Sequence, residues 1–195
     1  ISHKPDESID PKLVKEKDGG YTLRYAVPDG DANNPLEDTD GNGFIYSSNS
    51  RQANAEEMAK MREALGLNSE WERDAELTPN PDAIMLDCYQ HGGIAWSVSG
   101  EGMDCQWDTA KGGGVWIPDY VLMDELKGLT GAARRKKAVE FARQCCELYN
   151  QWLNGDAWGI ITETYDKRGK HLETDSVWGL FGSEWAEKAV ATGCA

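Results

Sequence analysis

The sequence predicts an α+β fold, a mostly antiparallel sheet packed with one long amphipathic helix at about residues 133–153. Three observations lead there. Short β-prone runs end in Gly, Pro and Asp turns. One long stretch carries apolar residues at helical spacing. Strands and helices mix without a βαβ rhythm, which disfavours a parallel sheet. At 195 residues, 39% of them hydrophobic and eight of them tryptophan, the chain can bury a substantial core. The expected organisation is an extended N-terminal segment, 1–20, followed by a single α+β domain, 21–195. That domain has an acidic part at 21–110 and a near-neutral part at 111–195.

The elements follow in order. Tyr21 to Val27 alternates and stops at Pro28-Asp29-Gly30, so it reads as a strand, and a polar loop runs from there to about Gly43. Phe44 to Tyr46 reads as a short strand. Met58, Met61 and Leu65 recur at helical spacing between Asn54 and Leu67, with Glu56 and Glu57 in the first turn, where the helix dipole favours them. Asp82 to Ser99 holds two β-prone runs around Gly92-Gly93 and predicts a hairpin or a bulged strand. Gly114 to Ile117 is a further strand, and Tyr120 to Lys127 a short helix. Ala138, Phe141, Ala142, Cys145, Leu148, Tyr149 and Trp152 share one face of the long helix, which Asn154-Gly155 closes. Trp158 to Tyr165 and Leu172 to Phe181 flank a turn at 166–169 as a hairpin, and Ser183 is expected to cap a final helix.

Charge is distributed unevenly. The first 110 residues hold 22 Asp/Glu against 9 Lys/Arg, whereas the last 85 hold 12 against 11. Such a field repels nucleic acid and anionic membrane and attracts proteins with a basic working surface. The sequence has no apolar run of transmembrane length, and Ile1 to Pro11 has no signal-peptide core, so a soluble protein that is not exported is expected. Five cysteines without framework spacing, Cys88, Cys105, Cys145, Cys146 and Cys194, suit reduced thiols.

Several constellations could carry chemistry. Asp38 to Ile45 (DTDGNGFI) matches the first eight positions of an EF-hand loop, with Asp38, Asp40 and Asn42 as candidate calcium ligands. The twelfth position is Asn49 rather than a bidentate glutamate, and a polar turn is the competing reading. Cys88, His91 and Cys105 offer three zinc-type donors without a fourth. The same region, 88–108, suggests a Cys105 nucleophile with His91 as base and Asp104 or Asp108 as orienter, beside a pocket lined by Trp96, Trp107 and Trp116. Gly112 to Gly114 precedes a strand and so builds no phosphate cradle. The basic run Arg134-Arg135-Lys136-Lys137 reads as a solvated face, with contact to phosphate or an acidic partner as the alternative.

Three blocks give the chain a likeness. They are Asn34-Pro35-Leu36-Glu37-Asp38 with Gly43-Phe44-Ile45; Tyr89-Gln90-His91-Gly92-Gly93 followed by Cys105-Gln106-Trp107-Asp108; and Tyr149 to Gly159 (YNQWLNGDAWG), with Asp175 to Gly182 after it. On these blocks, over about residues 21–190, the chain resembles a group of uncharacterised bacteriophage and prophage proteins. The group has an aspartate where Gln90 stands and lacks the alternating acids Asp38 and Asp40. The resemblance implies a phage or mobile-element origin and a bacterial host cytoplasm, and it transfers no catalytic residue.

Together these readings lead to a non-enzymatic accessory protein that inhibits a host nucleic-acid-handling defence protein of restriction or CRISPR type, through a DNA-mimic-like surface. Its candidate contacts are Asp31, Glu37, Asp38, Asp40, Glu56, Glu57, Glu63, Glu70, Glu72, Asp74 and Glu76. The expected partner is a host protein with a basic nucleic-acid-binding surface, with no direct binding to nucleic acid or membrane, and no cofactor. The alternatives are a small-ligand-binding protein or hydrolytic enzyme using 88–108, and a calcium-binding module at 38–49.

Overall fold

A computed structural model describes residues 9–37, 41–48, 55–67 and 79–193. The fold class is α+β. Among the described residues eight strands form two four-stranded sheets, ordered β1-β2-β7-β8 and β3-β6-β4-β5, in which every pairing is antiparallel. The chain divides into two compact units, Pro35–Asn150 on one hand and Ile1–Asn34 with Gln151–Ala195 on the other. Among the described residues no helix is long and apolar enough to cross a membrane.

The Pro35–Asn150 unit holds β3 (Phe44–Ser47), α1 (Ala55–Ala64), β4 (Ile84–Gln90), β5 (Ile94–Val98), β6 (Thr109–Ile117), α2 (Tyr120–Glu125) and most of α3 (Gly131–Leu153). Its sheet is apolar on both faces. On one, Met61 and Ala64 of α1 pack on Val115, with Tyr46 and Ile117 alongside. On the other lie Ile84, Leu86, Cys88, Trp96 and Trp116, all buried, while α3 turns Ala138, Phe141, Ala142, Cys145 and Cys146 inward. Burial pushes the Cys146 thiol up to about 12 and the Cys145 thiol up as well. These two thiols are core hydrophobes.

Three buried carboxylates tie this unit's loops to its strands. Asp82 accepts Nε and Nη2 of Arg134 at 2.7 and 2.6 Å, while Nη1 of the same arginine donates to Leu126 O at 2.7 Å. Asp87 accepts the Ser99 hydroxyl and the amides of Gly100 and Gly112 at 2.8–2.9 Å. The glycine run at 112–114 thus lies inside β6, where the ladder with β4 shifts register around Asp87. Gly114 is there because a side chain would strike the Trp96 ring at 2.5 Å. Asp119 caps α2 by accepting Leu122 N and also accepts Gly41 N and Gly43 N through Oδ2. Burial opposes the charge of Asp87 and Asp119, but the converging backbone amides outweigh it and hold both below the usual carboxylate range.

The other unit holds β1 (Lys12–Lys15), β2 (Tyr21–Pro28), β7 (Ala157–Tyr165), β8 (His171–Phe181) and α4 (Ser183–Thr192). The segment expected to be merely extended, 1–20, includes β1, which pairs with β2. α4 lays Ala186, Ala189 and Val190 on Ile9, Trp158, Ile160 and Ala26. Side chains alternate across a strand, so this packing uses one face only: Thr22, Arg24 and Ala26 from β2, Ile160 and Thr162 from β7. Arg24 reaches the end of α4, where its guanidinium would meet a Cβ on Gly193 at 2.5 Å and where a cation suits the helix dipole. The expected Ser183 cap is not used. Gly182 is the N-cap, at φ +92 and against the Gln151 side chain, and serine begins the helix one position later. The turn out of β8 demands a residue that tolerates positive φ.

Candidate functional site

The region 88–108 brings its titratable groups together in an order unsuited to nucleophilic catalysis. The Cys105 thiol donates to Asp108 Oδ2 at 3.2 Å, and His91 Nδ1 lies 3.3 Å from the same oxygen. The order is thiol, carboxylate, imidazole. A thiol nucleophile needs the imidazole in the middle, so the Cys105–His91 pair expected from sequence is not formed. Asp104, the other expected orienter, pairs with Lys111 at 3.0 Å. Cys88 is buried in the strand with Gln90 Nε2 on its sulfur at 3.5 Å, and no metal-holding group of His, Cys, Asp or Glu exists among the described residues. The expected pocket of Trp96, Trp107 and Trp116 does not form either, because Trp96 and Trp116 are core residues while Trp107 is 87% exposed.

Trp107 projects into solvent instead. Three hydrogen bonds close its loop: Cys105 N donates to Thr109 Oγ1, Thr109 Oγ1 to Met103 O, and Thr109 N to Cys105 O, at 2.8–3.1 Å. Glu101, just before, holds Arg143 of α3 through two 2.6 Å hydrogen bonds. Trp107 and the 65% exposed Met103 therefore project from a hydrogen-bonded loop that also carries Glu101, Asp104 and Asp108.

The loop with EF-hand spacing is partly visible. Asp38, Asp40 and Asn49 lie outside the described residues. Asn42 donates Nδ2 to Pro35 O at 3.1 Å, and its carbonyl accepts Trp116 Nε1 at 2.9 Å. With Gly41 and Gly43 bound to Asp119, the described end of this loop is anchored to the core by hydrogen bonds within the protein.

Of the expected partner contacts, Asp31 and Glu37 are exposed, and Asp31 N caps Asp29 Oδ1 at 3.3 Å. Glu56, Glu57 and Glu63 share α1, where Glu56 pairs with Lys60 at 2.8 Å, Glu57 is partly buried and Glu63 is exposed. Glu70, Glu72, Asp74 and Glu76 lie outside the described residues. The basic run on α3 is partly committed to structure: Arg134 is bound to Asp82, Arg135 donates to Ala83 O at 2.6 Å, and Lys137 lies 4.6 Å from the Phe141 ring centroid.

Sequence reasoning missed a second surface, the sheet face opposite α4. The strand registers place Tyr21, Leu23, Tyr25 and Val27 of β2 on it, beside Gly159, Ile161, Glu163 and Tyr165 of β7. On β8 they are joined by Thr174 and Ser176. Within this unit no described helix packs on that face. Glu163 sits at its centre. Tyr25 Oη donates to its Oε1 at 3.0 Å and Tyr165 Oη to its Oε2. The Tyr165 and Tyr25 hydroxyls thereby hold Glu163 below its ordinary value, and the same bonds push both tyrosines up. The Tyr165 ring meets His171 edge-on at 5.4 Å. Trp178, 52% exposed, lies over Gly159, where a Cβ would come within 2.3 Å of the indole. A bulge makes this possible: Trp158 pairs with Leu180 and Ile160 with Val177, so two β8 residues face the single Gly159. The only advance signal was alternation in β2 with aromatic residues on one face and Thr22 and Arg24 on the other.

No protein-family model matches the chain, and no curated protein or solved structure matches it either.

Proposed function

We propose that the protein is a phage or mobile-element accessory protein that acts by binding, not catalysis. Its partner is a host defence protein of restriction or CRISPR type whose basic surface normally holds nucleic acid. The observation that carries this reading is Trp107. A tryptophan 87% exposed on a hydrogen-bonded loop, with carboxylates on either side, is the anchor-and-rim arrangement of a protein-binding surface. Acidic residues at the rim match a Lys/Arg-lined surface and speed encounter with it. The net charge of −14 supports the same choice of partner and disfavours direct contact with nucleic acid. The thiol–carboxylate–imidazole order at Cys105, Asp108 and His91 favours binding over hydrolysis.

The test is plating of a restricted phage on strains that carry defined restriction or CRISPR systems and express this chain. Against the matching system, plating rises by at least tenfold. Trp107→Ala, or joint reversal of Glu56, Glu57 and Glu63 to lysine, abolishes the rise without unfolding the protein. No rescue with any system, together with no basic protein retained by the immobilised chain at low salt, defeats the proposal.

A further inference from the structure

We infer that the open sheet face of the Ile1–Asn34/Gln151–Ala195 unit is a docking site for an arginine-bearing segment of a partner protein, with Glu163 as the arginine receptor. This face belongs to a different unit from α1 and the Trp107 loop. Glu163 is an ionised carboxylate at the centre of an aromatic and aliphatic surface that no described helix of its own unit covers. A carboxylate has about four acceptor positions. The two tyrosine hydroxyls take one on each oxygen, which fixes the group and leaves one position per oxygen. A guanidinium supplies two parallel N–H donors at that spacing, whereas an ammonium is a point charge.

Tyr25 and Tyr165 flank the carboxylate, Trp178 lies farther along the same face over Gly159, and planar guanidinium stacks on such aromatic faces. Leu23, Val27 and Ile161 supply apolar contact for neighbouring side chains of the segment. Net charge agrees, since this unit carries 14 Asp/Glu against 9 Lys/Arg. Lys15 and His171 lie at the hairpin end of the face, opposite Tyr21 and Tyr165. The bases of a single strand could also stack on an aromatic sheet. A fixed carboxylate at the centre of the platform and a net negative unit oppose the phosphates that would come with them.

Fluorescence anisotropy with labelled nonapeptides tests this on the full chain. One probe alternates arginine and valine, a second alternates lysine and valine, and a decamer of thymidylate is the third. The arginine peptide binds at least threefold tighter than the lysine peptide. Glu163→Gln weakens it about tenfold and removes the preference. Trp178→Ala also weakens it, while Glu147→Gln, an equal charge change at an exposed position of α3, leaves affinity within twofold. Equal losses in Glu163→Gln and Glu147→Gln, no loss in Glu163→Gln, no arginine preference, or tighter binding of the thymidylate decamer each overturn the assignment. If Glu163→Gln shifts the melting temperature, Trp178→Ala and the peptide comparison in the unaltered protein decide. Plating rescue can fail while this binding holds, and the reverse, so the two proposals fall separately.

Discussion

The two sheets of this protein have, among the described residues, the same number of strands and the same antiparallel pairing, yet one is buried on both faces and the other has a helix of its own unit packed on one face only. The Pro35–Asn150 sheet has apolar residues buried on both faces, and its loops are tied down by buried Asp82, Asp87 and Asp119. The sheet of the other unit packs α4 on one face and keeps tyrosines, a glutamate and a tryptophan on the opposite one. Polar wiring in the first serves as framework. In the second, two tyrosine hydroxyls hold a partly exposed carboxylate on the face opposite α4. The same residue types do different work because burial sets whether their remaining hydrogen-bonding capacity is spent inside the protein.

Tryptophan truncation gives the largest expected contrast. Trp116, fully buried and bonded to Asn42 O, should lose about 3–5 kcal/mol of unfolding free energy on replacement by alanine. Trp178→Ala, at a half-exposed site, should cost under about 1 kcal/mol. Urea denaturation of both variants measures this, and equal losses would show that the open face is as much a core as the closed one.

Acid should act next, and through the closed sheet. Asp87 and Asp119 have lowered pKa values in the folded protein, so the unfolded chain takes up protons more readily than the folded one. Their stabilisation is complete above the unfolded carboxylate value of about 3.9 and is lost as the pH falls below it toward the depressed folded values. Urea midpoints followed from pH 7 to pH 2 should drop in that window. Asp87→Asn should lower the plateau by about 1–3 kcal/mol and shrink the acid limb. An unchanged limb would mean that the buried carboxylates are not the groups titrating.

A smaller effect is expected at Gly159. An alanine there would put Cβ 2.3 Å from the Trp178 ring, so the indole must leave the sheet. Because that ring is half exposed it can move, and the cost should be about 1 kcal/mol or less. The change to watch is a red shift in tryptophan emission, and its absence would show that Trp178 does not rest on the glycine.

Most elements were legible because their patterns are local. β2, the β4–β5 hairpin, α3 and the β7–β8 hairpin carry alternation or helical spacing over enough residues to be read directly. β1 was not, since Lys12–Lys15 is four residues long with lysine at both ends and gains its structure only from β2. Nor was the partition into two sheets, because it depends on partners far apart in sequence. Tyr25 and Glu163, the pair at the heart of the open face, are 138 residues apart. Asp87 and Asp119 look in sequence like any other contribution to an acidic surface. Only the amides that converge on them show that they are internal. Whether Cys105 and His91 come within reach of each other was not legible either, and in the structure both reach Asp108 Oδ2, which stands between them.

Asn150 lies against the edge of β5. From α3 its side-chain amide donates Nδ2 to Trp96 O at 2.8 Å and accepts Trp96 N at 2.7 Å, so it meets the outer edge of β5 as another strand would. An unpaired edge is a template on which further chains can polymerise. One amide group occupies that template at mid-strand, so a further strand pairing along β5 would have to displace Asn150.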